Sequence, residues 1–340
     1  MSRRLAMLAG VILIVGFTIG PASHLQARED CQDRTGESGF FNKTIDSGGF
    51  ERHYILYVPP GYEADAATPL VFNFHGLGRS AEYQYTYTEM NRMADRFKFI
   101  LVTPSGLGSS WNAGDGCCGF AGGMNIDDVG FTSEMIDSVS EEYCIDQHRV
   151  YATGFSNGGM MSWRLACELS ERILGIGPVA GAILVPCLQV TSPVSVIAFH
   201  GDEDMLVPYE GGEASADGWG DGLCSDASEV VYAEGDVTCI ARTECQFHTR
   251  VVFCTVEGGG HNWPGAAFDR PEHGHTTHDI DASRAIARFF KRSCNDPCAN
   301  QRDIALKDCN DSTSPRTPER TQCRQAVRDQ RNQCRAICRD

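Results

Sequence analysis

The chain has no C-x2-C pair, and after its N-terminal segment no apolar stretch is long enough to cross a bilayer. The first absence removes the usual paired-cysteine zinc geometries. The second removes a protein that spans the membrane repeatedly. Basic residues are in deficit: 29 Lys and Arg stand against 45 Asp and Glu, for a formal net charge of −16. That balance argues against nucleic acid as a partner and favours solubility. Low-complexity linkers and internal repeats are also missing, apart from a mirrored set of cysteines near the C-terminus. With 42% hydrophobic and 22% charged residues, the composition is that of a folded chain rather than a disordered one. At 340 residues there is room for one large domain and something small beside it.

What is present starts with a targeting segment. Arg3 and Arg4 precede an apolar run from Leu5 to about Ile19, and small residues follow up to Leu25-Gln26-Ala27. Charged, apolar and small segments in that order predict a secretory signal over residues 1–27, removed on export to an extracellular or periplasmic site. Sixteen cysteines fit an oxidising destination, ten before residue 290 and six after it. Both counts are even, so each region can close its own bridges.

From residue 28 to 293 the chain alternates short apolar runs with amphipathic stretches. "RHYILYVPPGY", "PLVFNFHGLG", "FILVTPSG", "RVYATGF", "PVSVIAFHGDED" and "TRVVFCTVEGGGH" each read as a strand ending in a polar or glycine-rich loop. Between them, "FTSEMIDSVSEEY" and "DASRAIARFFKR" carry helical periodicity. Strands apolar on both faces, alternating with helices, predict an α/β fold: a mostly parallel sheet covered by helices on both sides. In such sheets the chemistry lies beyond the C-terminal ends of the strands.

"GFSNG", Gly154 to Gly158, is a G-x-S-x-G motif with a strand before it and a helix after it. The turn it makes is sharp, and side chains two positions from the serine have no room, hence the glycines. Ser156 is therefore the candidate nucleophile, and a hydroxyl needs a base that titrates near neutral pH. His261 in "GGGHNWPG" follows a strand and sits in a loop able to reach the serine, whereas His248 lies at the wrong end of that strand. His273, His275 and His278 in "HGHTTH" read as a solvated loop rather than a metal cluster, so no metal is expected. The acid lies among Asp202, Glu203 and Asp204 in "HGDEDMLVPY", and spacing does not choose between them. Oxyanion donors are expected at the backbone N–H of Asn157, after the nucleophile, and of Leu77 in "HGLG". His75 precedes the serine and reads as shaping that loop.

The motifs "HGLG", "WNAGDGCCG", "DDVGF", "RVYATGFSNGGMM", "HGDEDMLVPY" and "GGGHNWPG" together resemble the secreted esterases grouped with extracellular polyhydroxybutyrate depolymerases and feruloyl esterases. The resemblance runs from about Arg52 to Phe290. It implies an α/β-hydrolase fold, no cofactor, and Asp204 as the triad acid beside Ser156 and His261. It also implies an ester substrate on a polysaccharide or polyester but leaves the acyl group open. Dedicated polyester depolymerases resemble this core joined by a linker to a larger polymer-binding domain, and a sequence with neither favours hydroxycinnamoyl (feruloyl) esters of xylan over polyhydroxybutyrate or acetylated xylan. A hydrolase-like binding protein is the alternative from another class. Trp111 and Trp263 flank motif loops and are candidates for stacking on a phenolic ring or a sugar. Asp127 and Asp128 in "DDVGF" are expected to cap a helix rather than to catalyse.

Residues 294–340 lie outside the resemblance. Their cysteines run C-x3-C-x10-C, then a gap of thirteen, then C-x10-C-x3-C, a mirror about Arg316. An antiparallel helical hairpin pairs positions of constant sum, which predicts Cys294–Cys338, Cys298–Cys334 and Cys309–Cys323. So small a unit needs such staples, and closing the inner ~15-residue loop is worth ~3 kcal/mol in the chain-entropy model. Arg320, Arg324, Arg328, Arg331, Arg335 and Arg339 form a stripe on the second helix. The stripe suits either solvent and the acidic catalytic domain, or contact with an anionic surface.

Overall fold

The computed structural model describes residue 31 and residues 34–293 except 116 and 189. The signal segment over 1–27 and the three bridges and arginine stripe of the C-terminal hairpin lie outside the described residues.

Six parallel strands form the middle of one ten-stranded sheet: β3 (Thr68–Phe74), β4 (Ile100–Pro104), β5 (Ile145–Phe155), β6 (Gly175–Val179), β7 (Ser195–Gly201) and β10 (Val251–Val256). An antiparallel hairpin closes each side: β1 (Gly39–Ser47) with β2 (Phe50–Val58), and β8 (Ser228–Glu234) with β9 (Val237–Arg242). The sheet order is β1-β2-β4-β3-β5-β6-β7-β10-β9-β8. The mostly parallel sheet is the one the alternation of strands and helices predicts, and the whole is the α/β-hydrolase fold that the family resemblance implies.

The apolar runs read as they do because both faces of the sheet are covered. On β3, Leu70, Phe72 and Phe74 join the core on one face, and Val71 points into the core on the other. β7 splits likewise, Val196 and Ala198 against Ile197 and Phe199. The first face packs under α4 (Asp128–Glu142) and α5 (Asn157–Glu168), the second under α1 (Ala81–Thr88), α2 (Met90–Phe97) and α7 (Ala282–Ser293). A further helix, α3 (Gly119–Gly123), follows β4, and α6 (Tyr209–Asp221) follows β7.

All ten cysteines before residue 290 are paired: Cys31–Cys144, Cys117–Cys118, Cys167–Cys187, Cys224–Cys245 and Cys239–Cys254. The last pair joins directly opposed residues of β9 and β10, fastening the outer hairpin to the parallel strands. Among the described residues no helix is long and apolar enough to cross a membrane.

Candidate active site

Ser156 stands on the turn between β5 and α5 with φ 56° and ψ −120°, a left-handed backbone conformation that L side chains rarely adopt. The neighbouring strand β6 and helix α5 hold it there: Ser156 N–H donates to Val179 O at 2.8 Å, and Met160 N–H donates to Ser156 O at 2.9 Å. The motif glycines are sterically required. A Cβ at Gly158 would come within 2.1 Å of Phe74 O, and one at Gly154 within 2.4 Å of Gly158 O. Asn157 opens α5, so its N–H belongs to the unsatisfied first turn of a helix. The "HGLG" loop lies directly against this turn, because a Cβ on Gly76 would meet Ser156 Cβ at 3.4 Å. Leu77 and Asn157, the two expected oxyanion donors, thus flank Ser156.

Asp204 is buried after β7, and its two oxygens are fully engaged. Oδ1 accepts from the N–H groups of Leu206 (2.8 Å) and Val207 (2.9 Å), and Oδ2 accepts from His261 Nδ1 at 2.6 Å. Burial works against the charge. Hydrogen bonds from His200 and His261, reinforced by the charge of His261 and by the Val207 N–H, outweigh it and hold the carboxyl well below the usual carboxylate range. An ionised Asp204 fixes the proton of His261 on Nδ1 and leaves Nε2 as an acceptor. The neighbouring acids do other work: Asp202 Oδ1 caps the Gly258 N–H at 2.6 Å, and Glu203 is exposed. Of the three acids that spacing leaves open, Asp204 is the one in contact with His261.

His261 is buried against Phe155, the residue before the serine, with ring centroids 4.8 Å apart. Its N–H donates to His273 O at 2.8 Å, fixing the loop after β10. No hydrogen bond joins the Ser156 hydroxyl to His261 among the described residues; such contacts commonly tighten only once substrate binds.

One participant escapes the sequence reading. His200 heads the same "HGDED" stretch and is buried with Nε2 2.9 Å from Val207 O and 3.4 Å from Asp204 Oδ2. It gives Asp204 a second histidine neighbour and ties the acid's loop to β7. A histidine four residues before the acid at a strand end is the signal that marks it.

Two expectations are corrected. Trp111 and Trp263 are 0% exposed, so neither offers a face to substrate. Trp111 packs edge-on to Phe74 and donates Nε1–H to His75 O at 2.9 Å; Trp263 donates Nε1–H to Ser283 Oγ on α7 at 3.1 Å. Both pin the loops they flank. Of the two acids in "DDVGF", Asp127 does cap α4, accepting from Gly130 N–H at 2.7 Å. Asp128 does not: it forms a buried pair with Arg52 Nη2 at 2.7 Å and accepts from Asn112 N–H at 2.7 Å. The Trp111-Asn112 segment is gripped from its other side by Asn157, whose Oδ1 accepts from Trp111 N–H (2.7 Å) and whose Nδ2 donates to Trp111 O (3.0 Å).

His75 shapes the "HGLG" loop as expected. Its Nδ1–H donates to Gly76 O at 2.8 Å and its Nε2 accepts from Gly106 N–H at 2.9 Å. Burial pushes its pKa down to about 4, so the ring is neutral near pH 7. The "HGHTTH" histidines turn to separate acids, His275 to Asp236 at 2.6 Å and His278 to Asp269 at 2.8 Å. Among the described residues no group of His, Cys, Asp or Glu is arranged to hold a metal.

Comparison with known proteins places the chain among esterases. The family described as "Esterase PHB depolymerase" matches residues 52–207. "Putative esterase NocK" of Nocardia uniformis subsp. tsuyamanensis is 31% identical over 252 residues, which cover 65% of this chain and 73% of that protein. The chain belongs to this esterase family. "Feruloyl esterase D" of Neurospora crassa is 29% identical over 233 residues, 64% of this chain and 77% of its own. Among solved structures, an acetyl xylan esterase from Aspergillus awamori superposes with a TM-score of 0.54 at 14% identity, covering 74% of this chain and 98% of that one. At that identity the likeness speaks to the fold alone. The esterase relatives and the family together make this chain a carboxylic ester hydrolase.

Proposed function

We propose that this esterase is a secreted serine hydrolase in which Ser156 is the nucleophile, His261 the general base and acid, and Asp204 the orienting carboxylate. The observation that carries the reading is the 2.6 Å hydrogen bond from His261 to a buried, ionised Asp204, beside a serine held on a left-handed turn. Ser156 Oγ attacks the ester carbonyl as His261 Nε2 takes its proton, while the N–H groups of Asn157 and Leu77 hold the oxyanion. Collapse of the tetrahedral intermediate breaks the C–O bond. The alcohol leaves with the proton from His261, and water repeats the sequence on the acyl-enzyme. Replacing Ser156 with Ala is expected to lower kcat by on the order of 10⁶, since the three groups act as a unit.

The substrates we assign are feruloyl (hydroxycinnamoyl) esters of plant cell-wall polysaccharide. Support comes from relatives named feruloyl esterases. It comes also from exposed apolar side chains beside the site: Leu77, Phe120, Met205 and Leu206. The family description keeps polyester as the second reading, and the motif resemblance keeps acetylated xylan beside it. Secretion rests on the N-terminal segment and on the five bridges of the catalytic domain. Methyl ferulate, acetylated xylan and polyhydroxybutyrate compared side by side on the purified enzyme decide the substrate. The largest kcat/KM is expected on methyl ferulate, and a preference for either polymer moves the assignment to that class.

A further inference from the structure

Among the described residues, the bridge between adjacent Cys117 and Cys118 is the one disulfide placed beside Ser156 rather than in the scaffold. Cys31–Cys144, Cys167–Cys187, Cys224–Cys245 and Cys239–Cys254 each join segments at least 15 residues apart. A bond between neighbours closes almost no loop, so the loop-closure argument for stability does not explain it. Its surroundings do offer a reason. Cys117 Sγ lies 3.3 Å from Met160 Sδ, one turn along α5 from Ser156, and 3.8 Å from Asn157 Nδ2. The next residue, Gly119, sits so close to Leu77 that a Cβ there would come within 2.8 Å of Leu77 Cδ1. The pair therefore spans the two residues whose N–H groups hold the oxyanion.

This spot is apolar and firmly held. Cys117, Cys118 and Leu184 pack on a small cluster of Ala113, Met160 and Val207, the last of which is three residues beyond Asp204. Cys118 N–H donates to Trp111 O at 3.4 Å, the same carbonyl that Asn157 Nδ2 reaches, and Ala113 N–H donates to Cys117 O at 3.3 Å. Both cysteines are half-buried, so part of the disulfide faces outward, next to exposed Leu77 and Phe120. A disulfide presents no N–H or O–H donor, and its sulfurs are polarizable, which suits contact with an aromatic or alkyl face. An acyl group whose carbonyl sat between Leu77 and Asn157 would have this wall beside its substituent. An acetyl methyl is too short to use it.

We infer that the Cys117–Cys118 disulfide forms a wall of the acyl subsite and sets a preference for apolar acyl groups larger than acetyl; the inference rests on the serine-esterase reading above. The test compares kcat/KM for p-nitrophenyl acetate, p-nitrophenyl butyrate and methyl ferulate in the full wild-type chain and in the double variant Cys117→Ala, Cys118→Ala. The ratio of each larger substrate to acetate should fall by on the order of tenfold, the usual worth of one or two apolar groups in a pocket. A greater fall for ferulate than for butyrate assigns the wall to an aromatic acyl group, and the reverse to an alkyl one. Equal losses on all three substrates, or none, overturn the inference. Should the double variant fail to fold, Leu184→Ala trims the same wall and should move the ratios in the same direction; unchanged ratios there count equally against it. Peptide mapping without reductant must recover the 117–118 bridge, and free thiols or other partners also overturn it. Wild type inactive on all three esters would instead sink the serine-esterase reading itself.

Discussion

Two buried histidines stand on either side of Ser156, and they are built for opposite purposes. His75, in the loop after β3, spends both ring nitrogens on backbone groups, Gly76 O and Gly106 N–H. His261, in the loop after β10, spends Nδ1 on a carboxylate and makes no hydrogen bond through Nε2 among the described residues. The first ring is a neutral bracket, since burial penalises its charge by more than the Gly76 carbonyl and the charge of Glu82 offset. The second has an ionised partner ready to stabilise an imidazolium. Burial alone therefore does not mark a catalytic histidine; what matters is whether one nitrogen is free and what charge stands behind the other.

The sharpest way to break the comparison is to remove each ring. His261→Ala should act first on turnover, lowering kcat by on the order of 10⁶ because the proposed triad acts as a unit, with a lesser loss of stability from the buried Asp204 left without that partner. His75→Ala should act first on stability, since a buried donor and acceptor lose their partner at about 1–3 kcal/mol each. Equal kinetic losses with no change in stability for both variants would erase the distinction.

Smaller in effect is the buried pair behind the oxyanion side. Asp128→Ala leaves Arg52 charged and 1% exposed, and should cost about 3–5 kcal/mol in urea unfolding. It should also loosen the Trp111-Asn112 segment that Asn157 grips. An unfolding midpoint within error of wild type would show that Asp128 does not brace this side.

Next comes a pH dependence that belongs to His75. Its folded pKa of about 4 lies below the ordinary 6.5, so the folded state resists protonation. The contribution is intact above pH 6.5 and is lost as pH falls towards 4, a difference worth about 3 kcal/mol at 1.36 kcal/mol per unit. Unfolding free energies from pH 7 to pH 4 should show a decline that is shallower in His75→Gln. Parallel slopes for the two proteins would place the sensitivity elsewhere.

How much of this was legible in the sequence follows from the physics of each segment. Strands buried on both faces leave continuous apolar runs, so β3, β4, β5, β7 and β10 announce themselves. β6, "GIGPV", does not: two glycines and a proline read as a turn, yet every residue is buried. Its ladder to β7 passes over Gly177 and Pro178, which fits a residue with no N–H to give. β8 is exposed along most of its length and carries no burial pattern to read. The nucleophile turn was legible because the residues two positions either side of Ser156 must be glycine, with backbone atoms of the turn itself and of β3 pressed against them. The choice of Asp204 was not legible from spacing, because the three acids differ only in which way the loop turns them. The tryptophans mislead for a related reason: an aromatic beside a motif packs inward or outward according to tertiary contacts that local sequence does not encode.

The most direct test of the central claim is covalent labelling with a p-nitrophenyl phosphonate ester, followed by peptide mapping. A single label on Ser156 is expected, in step with loss of esterase activity, and the label should fail to form in His261→Ala over the same exposure. Full inactivation with Ser156 unmodified, or a label on another residue, would contradict the account.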